Sequence, residues 1–327
     1  MIKTIVIQNF KSIKNLTIEC KRVNIFIGRP NVGKSNILEA LGVLSFSGYG
    51  GYLNKFVRFE NMSNLFYDND LSENIEISAD QVKFRMNFDG SRFIGKCRVP
   101  IKEKVYKEFE VKLNYRGGII GGAPIDALKN FKFYRFKKLN GFSQENPQFL
   151  LPPEGKNLLS VLLTHKELKS IIANIFKPYG LRITLKPQEN KIEVVKLLEE
   201  ILIGYPYSVL SDTLQRIVFY LTAIESNKNS VLIFEEPEAH AFPYYIKFLA
   251  ERIVLEKGNQ YFISTHNPYF LLSILEKIPV VDVNVFITYF EDYQTKVKSL
   301  TKEDLEEIMS LEIDSFLNID RFLEGWL

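Results

Sequence analysis

The run Gly28-Arg29-Pro30-Asn31-Val32-Gly33-Lys34-Ser35 sets two glycines, a lysine and a hydroxyl at the spacing GxxxxGK[ST]. The chemistry of that pattern is phosphate binding. Glycines let backbone N–H groups turn inward around phosphate oxygens. A helix starting near Lys34 adds partial positive charge at its N-terminus. In such a loop Lys34 reaches the β- and γ-phosphates of a nucleotide, and the Ser35 hydroxyl ligates Mg²⁺. Gly28, Asn31, Val32, Gly33 and Asn36 are the remaining candidate contacts. The alternative is a chance glycine-rich turn. The flanks argue against it, because an apolar run ends at Gly28 and a helical pattern begins near Lys34, as the motif requires.

A second constellation lies far downstream. In VLIFEEPEAH, four apolar residues run straight into Glu235 and Glu236. Adjacent like charges repel, and burying either is costly without a partner. A phosphate loop supplies the reason, since it needs an acidic group at the end of a neighbouring buried strand to hold the Mg²⁺ shell. Glu235 takes that metal role beside Ser35. Glu236 points elsewhere and can orient or deprotonate an attacking water. The alternative is two solvated glutamates closing a strand.

These groups must be carried by definite elements. Ile5, Ile7 and Phe10 mark a first strand and VNIFIG a second. Ile37, Leu38, Leu41 and Leu44 then share one helical face, before FSGYGGYLN breaks the pattern. From about Glu73 to Lys112 the period becomes two, which predicts antiparallel strands. FKFYRFKKL is a further strand candidate, LPPEGKNLLSVLLTHKELKSIIANIF is helical after Pro-Pro, and LRITLKP and KIEVV form a strand pair. In the last third, Leu214, Ile217, Val218, Leu221 and Ile224 predict an amphipathic helix, followed by strand VLIFEE. A helix opens at Pro243, strand YFIST follows, Asn267-Pro268 opens another helix, and VNVFITYF is a strand. KEDLEEIM and the tail beyond it read as helical. Strand–helix alternation here predicts a parallel sheet.

Size and composition set bounds. The chain has 327 residues, 46% apolar and 25% charged, which suits one large globular domain. Its net charge of +3 is too small to announce nucleic-acid binding by itself. Two cysteines without a CxxC signal neither disulfides nor zinc and fit a reducing compartment. With no membrane-length apolar run and no signal peptide, a cytoplasmic location is expected.

Several segments converge on one family. IQNFKSIKNL, VNIFIGRPNVGKSNILEAL, LSDTLQRIVFYLTAI, FEEPEAH and ISTHNP occur in that order. Together they resemble the ABC-type ATPases of the RecF/SMC/Rad50 branch. More closely, they resemble the AAA-family ABC-like ATPase domain of OLD-type (overcoming lysogenization defect) and related defence proteins. FKFYRFKKL and LPPEGKNLLSVLL are similar to that subgroup too, so the resemblance spans nearly the whole chain. It implies an α/β fold: a P-loop NTPase of ABC-ATPase head type, with a mostly parallel core sheet, an antiparallel β subdomain and a helical insertion. The expected organisation is a single head, with an N-terminal lobe over 1–140, an insertion over 141–207 and a C-terminal lobe over 208–327.

The resemblance also implies a homodimer closed around two ATP molecules with Mg²⁺. Ser211 would be the signature serine facing the partner's γ-phosphate, although Ser-Asp also N-caps a helix well. His266 would be the switch histidine contacting the γ-phosphate, against a plain surface histidine. Arg58 would match an arginine-loop residue, against a solvated edge. Lys34, Glu236 and His266 are thus the catalytic candidates. The departures bear on turnover more than on binding: Glu235 replaces the usual Asp, LSDTLQR lacks the signature glycine, Phe242 replaces the second histidine of EPExHxHP, and no Q-loop glutamine is evident, Gln81 falling in a strand pattern. Sustained heptads are absent between the nucleotide motifs. The chain stops soon after VNVFITYF, leaving no room for a Toprim nuclease, so an ATPase head alone is expected.

Four functions follow. The first is an ATP-driven dimeric switch acting on DNA, directly or with a separate nuclease or effector, in repair or anti-phage defence. The basic-aromatic stretches FKFYRFKK and KEKVYKEFEVK favour it, though each also suits a strand with a solvated lysine face. The second, a transporter ATPase subunit, is disfavoured by the missing LSGGQ and the NFKSI start. The third, a GTPase, needs NKxD, and NKNS from Asn227 fails at the aspartate. The fourth is an ATP-binding partner with little turnover of its own, which the motif departures keep open.

Overall fold

The computed structural model describes residues 1–102, 105–311 and 319–323. Its centre is a six-stranded sheet. The order across it is Gln294–Ser299, Val283–Glu291, Val23–Ile27, Gln260–Ser264, Val231–Glu235 and Phe131–Tyr134. All neighbours are parallel except the first pair, which is an antiparallel hairpin. The strands are nearly continuous in apolar residues because both faces are covered. Val23, Ile25 and Ile27 face one core, with Leu232, Phe234, Tyr261 and Ile263. Phe26, Ile233 and Phe262 face the other. Each such side chain contributes about 1.5–3 kcal/mol on full burial.

The helix Lys34–Tyr49 fills the second core, against strands Phe131–Tyr134, Val231–Glu235 and Gln260–Ser264. Behind it lies a seven-stranded antiparallel sheet, whose inward residues include Ile5, Ile7, Phe10, Ile75, Ile77 and Phe84. The first core holds helices Asp212–Ser226, Pro243–Leu255 and Pro268–Leu275. Between strand Phe131–Tyr134 and helix Asp212–Ser226 the chain forms helices Leu158–Thr164 and Lys166–Phe176 and a three-stranded antiparallel sheet over 181–206.

Four strands go beyond the sequence expectations, the shortest being Ile119–Gly121 at the edge of the seven-stranded antiparallel sheet. Ile13–Glu19 pairs with the first strand across a turn at Lys11 and Ser12, where no Gly, Pro or Asn marks the reversal. Ile201–Pro206 adds a third strand beside KIEVV. Gln294–Ser299 closes a hairpin whose polar sequence, QTKVKS, gives no apolar alternation. FKFYRFKKL is strand only over Phe131–Tyr134, the stretch that Val231–Phe234 pairs with. The long helical segment divides at His165. KEDLEEIM lies in helix Lys302–Leu311 and Ile319–Leu323 is a short 3₁₀ turn. The rest of the tail, and two residues of KEKVYKEFEVK, lie outside the described residues. Gln81 sits in the turn between strands Ile75–Ala79 and Val82–Phe88. Among the described residues no helix is long and apolar enough to cross a membrane.

Candidate nucleotide site

The fully buried strand Val23–Ile27 ends at Gly28, and the loop runs to Gly33, which caps the helix from Lys34. Gly28 has φ 142° and a Cβ there would stand 2.2 Å from the Thr288 carbonyl oxygen, so only glycine fits. Gly33 has φ 99° in the left-handed region. Lys34 Nζ donates to the carbonyls of Gly28 at 2.9 Å and Arg29 at 2.7 Å. The backbone N–H groups of Gly33, Lys34 and Ser35 have no acceptor among the described residues. That leaves a cluster of aligned donors at a helix N-terminus, the arrangement that suits an anion. Burial lowers the Lys34 pKa to about 8, with the charge of Glu236 acting the other way. Asn31 is exposed at φ 62° and Ser35 is half-buried. Asn36 turns away, its amide donating to Ser12 Oγ at 2.7 Å.

Parallel pairing aligns the other functional groups with this loop. Glu235 is level with Ser264, and Ser264 with Phe26, so the chain leaves three neighbouring strands at one end. Glu236 stands just past the strand at φ 44°, and its N–H donates to the Ser264 carbonyl at 3.0 Å. Its carboxylate lies 3.5 Å from His266 Nε2. Burial lowers the His266 pKa and the nearby Lys34 charge lowers it further, against Glu236. Lys34, Glu236 and His266 therefore share one electrostatic neighbourhood.

Glu235 faces a different set. Its carboxylate lies 2.7 Å from Arg58 Nη2 and 3.7 Å from Arg135 Nη2. Both arginines also bind Glu39, at 2.9 Å and 3.0 Å. Glu39 is fully buried and pairs with Lys11 as well. Arg58 is thus held by two carboxylates at the rim of a cavity of about 480 Å³ that Glu236, Arg216 and His240 also line.

The family described as AAA ATPase domain matches residues 1–193, more than half of the chain. The chain belongs to that family. An AAA domain model whose description names the AbiEii toxin of Type IV TA systems matches residues 128–273. An ATP/GTP phosphatase of Helicobacter pylori is 23% identical to this ATPase over 329 residues, 85% of this chain and 88% of its own. The DNA replication and repair protein RecF of Caldanaerobacter subterraneus subsp. tengcongensis is 30% identical over 96 residues, 28% of this chain and 26% of its own. Among solved structures, an SMC head bound to the C-winged helix domain of ScpA superposes with a TM-score of 0.55 at 15% identity, over 94% of this chain and 99% of the other. An Smc head with an extended coiled coil, bound to the C-terminal domain of ScpA derived from Pyrococcus furiosus, gives 0.54 at 14% identity over 94% and 98%. The fold is that of an ABC/SMC-like ATPase head.

In this ATPase, among the described residues, no hydrogen bond joins Ser211 to Lys34, Glu236 or His266. It N-caps helix Asp212–Ser226, its Oγ accepting from the Leu214 N–H at 3.4 Å. Asp212 pairs with Lys138 at 2.7 Å, and the Thr213 hydroxyl donates to the His240 carbonyl at 2.6 Å. Helix Asp212–Ser226 is thereby tied to the turn after Glu236. Phe242 is two-thirds exposed beyond that turn. Asn227 of NKNS is buried and bonds Lys132, Tyr134 and the Ala223 carbonyl, so it serves packing.

Several residues escape a sequence reading. Arg135, Lys11 and Glu39 lie in segments that carry the family resemblance, but none of them has a role in the sequence reading; the only cue for Glu39 is a lone carboxylate within an apolar helical run. Glu238, the second acid of EPE, is buried and bonds the Thr265 hydroxyl, which in turn accepts the Asn267 N–H at 3.0 Å. It therefore braces the segment that carries His266. Burial raises the Glu238 pKa to about 7.

Among the described residues no group of three or more His, Cys, Asp or Glu is arranged to hold a metal alone. Mg²⁺ does not require one, since it is held by one or two protein oxygens together with substrate phosphates and waters. The hard oxygen donors of Ser35 and Glu235 fit that pattern. Glu235 would have to share its carboxylate with Arg58.

Proposed function

We propose that this ATPase hydrolyses ATP, and that two copies close around ATP to drive work on DNA, directly or through a nuclease or effector partner. The observation that carries hydrolysis is the gathering of Lys34, Glu236 and His266 at one end of three neighbouring strands. Lys34 leaves the Gly28 and Arg29 carbonyls and takes the β- and γ-phosphates. Glu236 orients the attacking water and accepts its proton. His266, whose pKa is lowered first by burial in the free protein, donates a hydrogen bond towards the γ-phosphate. Ser35 and Glu235 would hold Mg²⁺, which neutralises phosphate charge when bound. Ser211 of each copy, with its helix N-terminus, faces the γ-phosphate held by the other.

Lys34 gives a pH signature. Its pKa is about 8 in the free protein, and bound phosphates stabilise the ammonium form. Above pH 8, ATP binding must therefore take up a proton, so affinity falls as pH rises, by up to about tenfold per unit. Titrations at pH 7, 8 and 9 check this. Lys34→Arg, charged throughout, should flatten the profile, and equal slopes for both proteins would refute the assignment.

Assembly is tested on Glu236→Gln with ATP and Mg²⁺ by light scattering. The mass should double, and adding Ser211→Arg should return it to that of one chain. A monomer under all conditions would overturn ATP-driven closure. Phosphate release with and without duplex DNA, across a salt series, tests the DNA arm, since phosphate contacts weaken steeply with salt. Failure to bind duplex at low salt removes direct DNA action. A second reading, an ATP-binding partner with little turnover, is favoured by Glu235 being engaged by Arg58.

A further inference from the structure

Thr295 lies in the hairpin that edges the central sheet, and it is fully buried. Its hydroxyl donates to the carbonyl of Val32, inside the phosphate loop, at 2.9 Å. Having spent its only proton there, it must accept from the Ser12 hydroxyl 2.6 Å away. Ser12 Oγ in turn accepts from the Asn36 amide at 2.7 Å, and the Ser12 carbonyl accepts the Thr295 N–H at 2.7 Å. The bonds thus run in one direction, from Asn36 to Ser12 to Thr295 to Val32. They begin and end on the loop and the helix it opens.

The consequence follows from peptide geometry. A trans peptide is planar, so the Val32 C=O and the Gly33 N–H point in opposite directions. Thr295 holds that carbonyl on the hairpin side. The Gly33 N–H is thereby aimed the other way, where it has no acceptor among the described residues. Packing agrees. A Cβ on Gly33 would stand 2.0 Å from Thr295 Oγ1 and 2.9 Å from Ser12 Oγ, so the two hydroxyls press against the outer face of the loop.

We propose that Ser12 and Thr295 are positioning residues that preset the phosphate loop for nucleotide by fixing the orientation of the Val32–Gly33 peptide. This rests on the nucleotide-binding reading above. They come from opposite ends of the chain, one in the turn that opens the antiparallel sheet and one in the edge hairpin. Their hydroxyls bond each other, Val32 and Asn36, so their effect on binding is exerted through the loop.

The test is ATP affinity and steady-state kinetics for Thr295→Val, Thr295→Ser and Ser12→Ala in the full chain. Thr295→Val keeps the shape and leaves the Val32 carbonyl unbonded, and a buried polar group left unpaired weakens the affected state by a factor of about 5 to 150. The dissociation constant and KM for ATP should rise by that factor, far more than kcat falls. Thr295→Ser, which keeps the hydroxyl, should restore most of the affinity. Ser12→Ala should weaken binding less, and the double variant Ser12→Ala with Thr295→Val should weaken it by less than the product of the two singles. Thr295→Val with wild-type affinity overturns the proposal. So does a variant whose kcat falls with its melting temperature while KM stays fixed, which marks a merely structural role. Should Thr295→Val fail to fold, Ser12→Ala decides: it must raise KM, and wild-type KM overturns the proposal. A wild-type chain whose ATP binding is absent, or indifferent to Lys34→Ala, sinks the nucleotide reading and this assignment with it. Lys34-dependent binding without a Thr295 or Ser12 effect sinks this assignment alone.

Discussion

Glu236→Gln is expected to cut steady-state ATP turnover by on the order of a hundredfold to ten-thousandfold while ATP still binds. The amide matches the carboxylate in size but cannot take a proton from water. Binding survives because the groups that would hold phosphate, Lys34 and the N–H donors of Gly33 and Ser35, lie on a different segment. Affinity should even rise slightly, since removing the Glu236 charge leaves Lys34 facing the phosphates alone. The matching change at the preceding residue should behave differently. Glu235 is engaged by Arg58 and Arg135, so Glu235→Gln loosens both arginines and weakens Mg²⁺-dependent binding as well as turnover. Single-turnover phosphate release with nucleotide titration separates the two. Turnover of Glu236→Gln within threefold of wild type would remove Glu236 from the role of base.

What the sequence disclosed depended on how local the signal was. The phosphate loop, the strand into Glu235 and the Asn267-Pro268 helix start are contiguous patterns, and each lies where its pattern indicates. The parallel core was legible because both-face burial writes long apolar runs. Strand Ile201–Pro206 was not, because exposed Ile201, Leu202 and Tyr205 erase the alternation that half-buried strands show. The site divides in the same way. Glu236 and His266 sit beside recognisable motifs. The contacts that hold the phosphate loop were not legible: Ser12, Asn36 and Thr295 meet only through the register of two separate hairpins. Asn36 shows the limit within a motif, since its position beside Ser35 suggested a nucleotide contact and its amide instead bonds Ser12.

Glu39→Ala should be the most destabilising single change outside the apolar cores, by about 3–5 kcal/mol. The carboxylate is fully buried in the helix that follows the phosphate loop, and it holds Lys11, Arg58 and Arg135 together. It also accepts the Arg58 backbone N–H at 3.0 Å. Truncation leaves Lys11 and Arg135, both largely buried, without their shared anion. The wild-type Lys11 pKa is already lowered, first by burial and against the pull of Glu39. Without Glu39 it drops further, so at alkaline pH Lys11 sheds its proton and the loss of stability shrinks. Glu39→Gln keeps an acceptor but no charge and should fall between. Urea unfolding with an unchanged slope measures the loss, and a value under about 1 kcal/mol would show that solvent already screens the cluster. The functional effect follows from the shared partners. Arg58 and Arg135, released from Glu39, turn wholly to Glu235 and neutralise the carboxylate that Mg²⁺ needs. Purified, folded Glu39→Gln should therefore need more Mg²⁺ for half-maximal turnover, with ATP affinity measured without metal left near that of wild type.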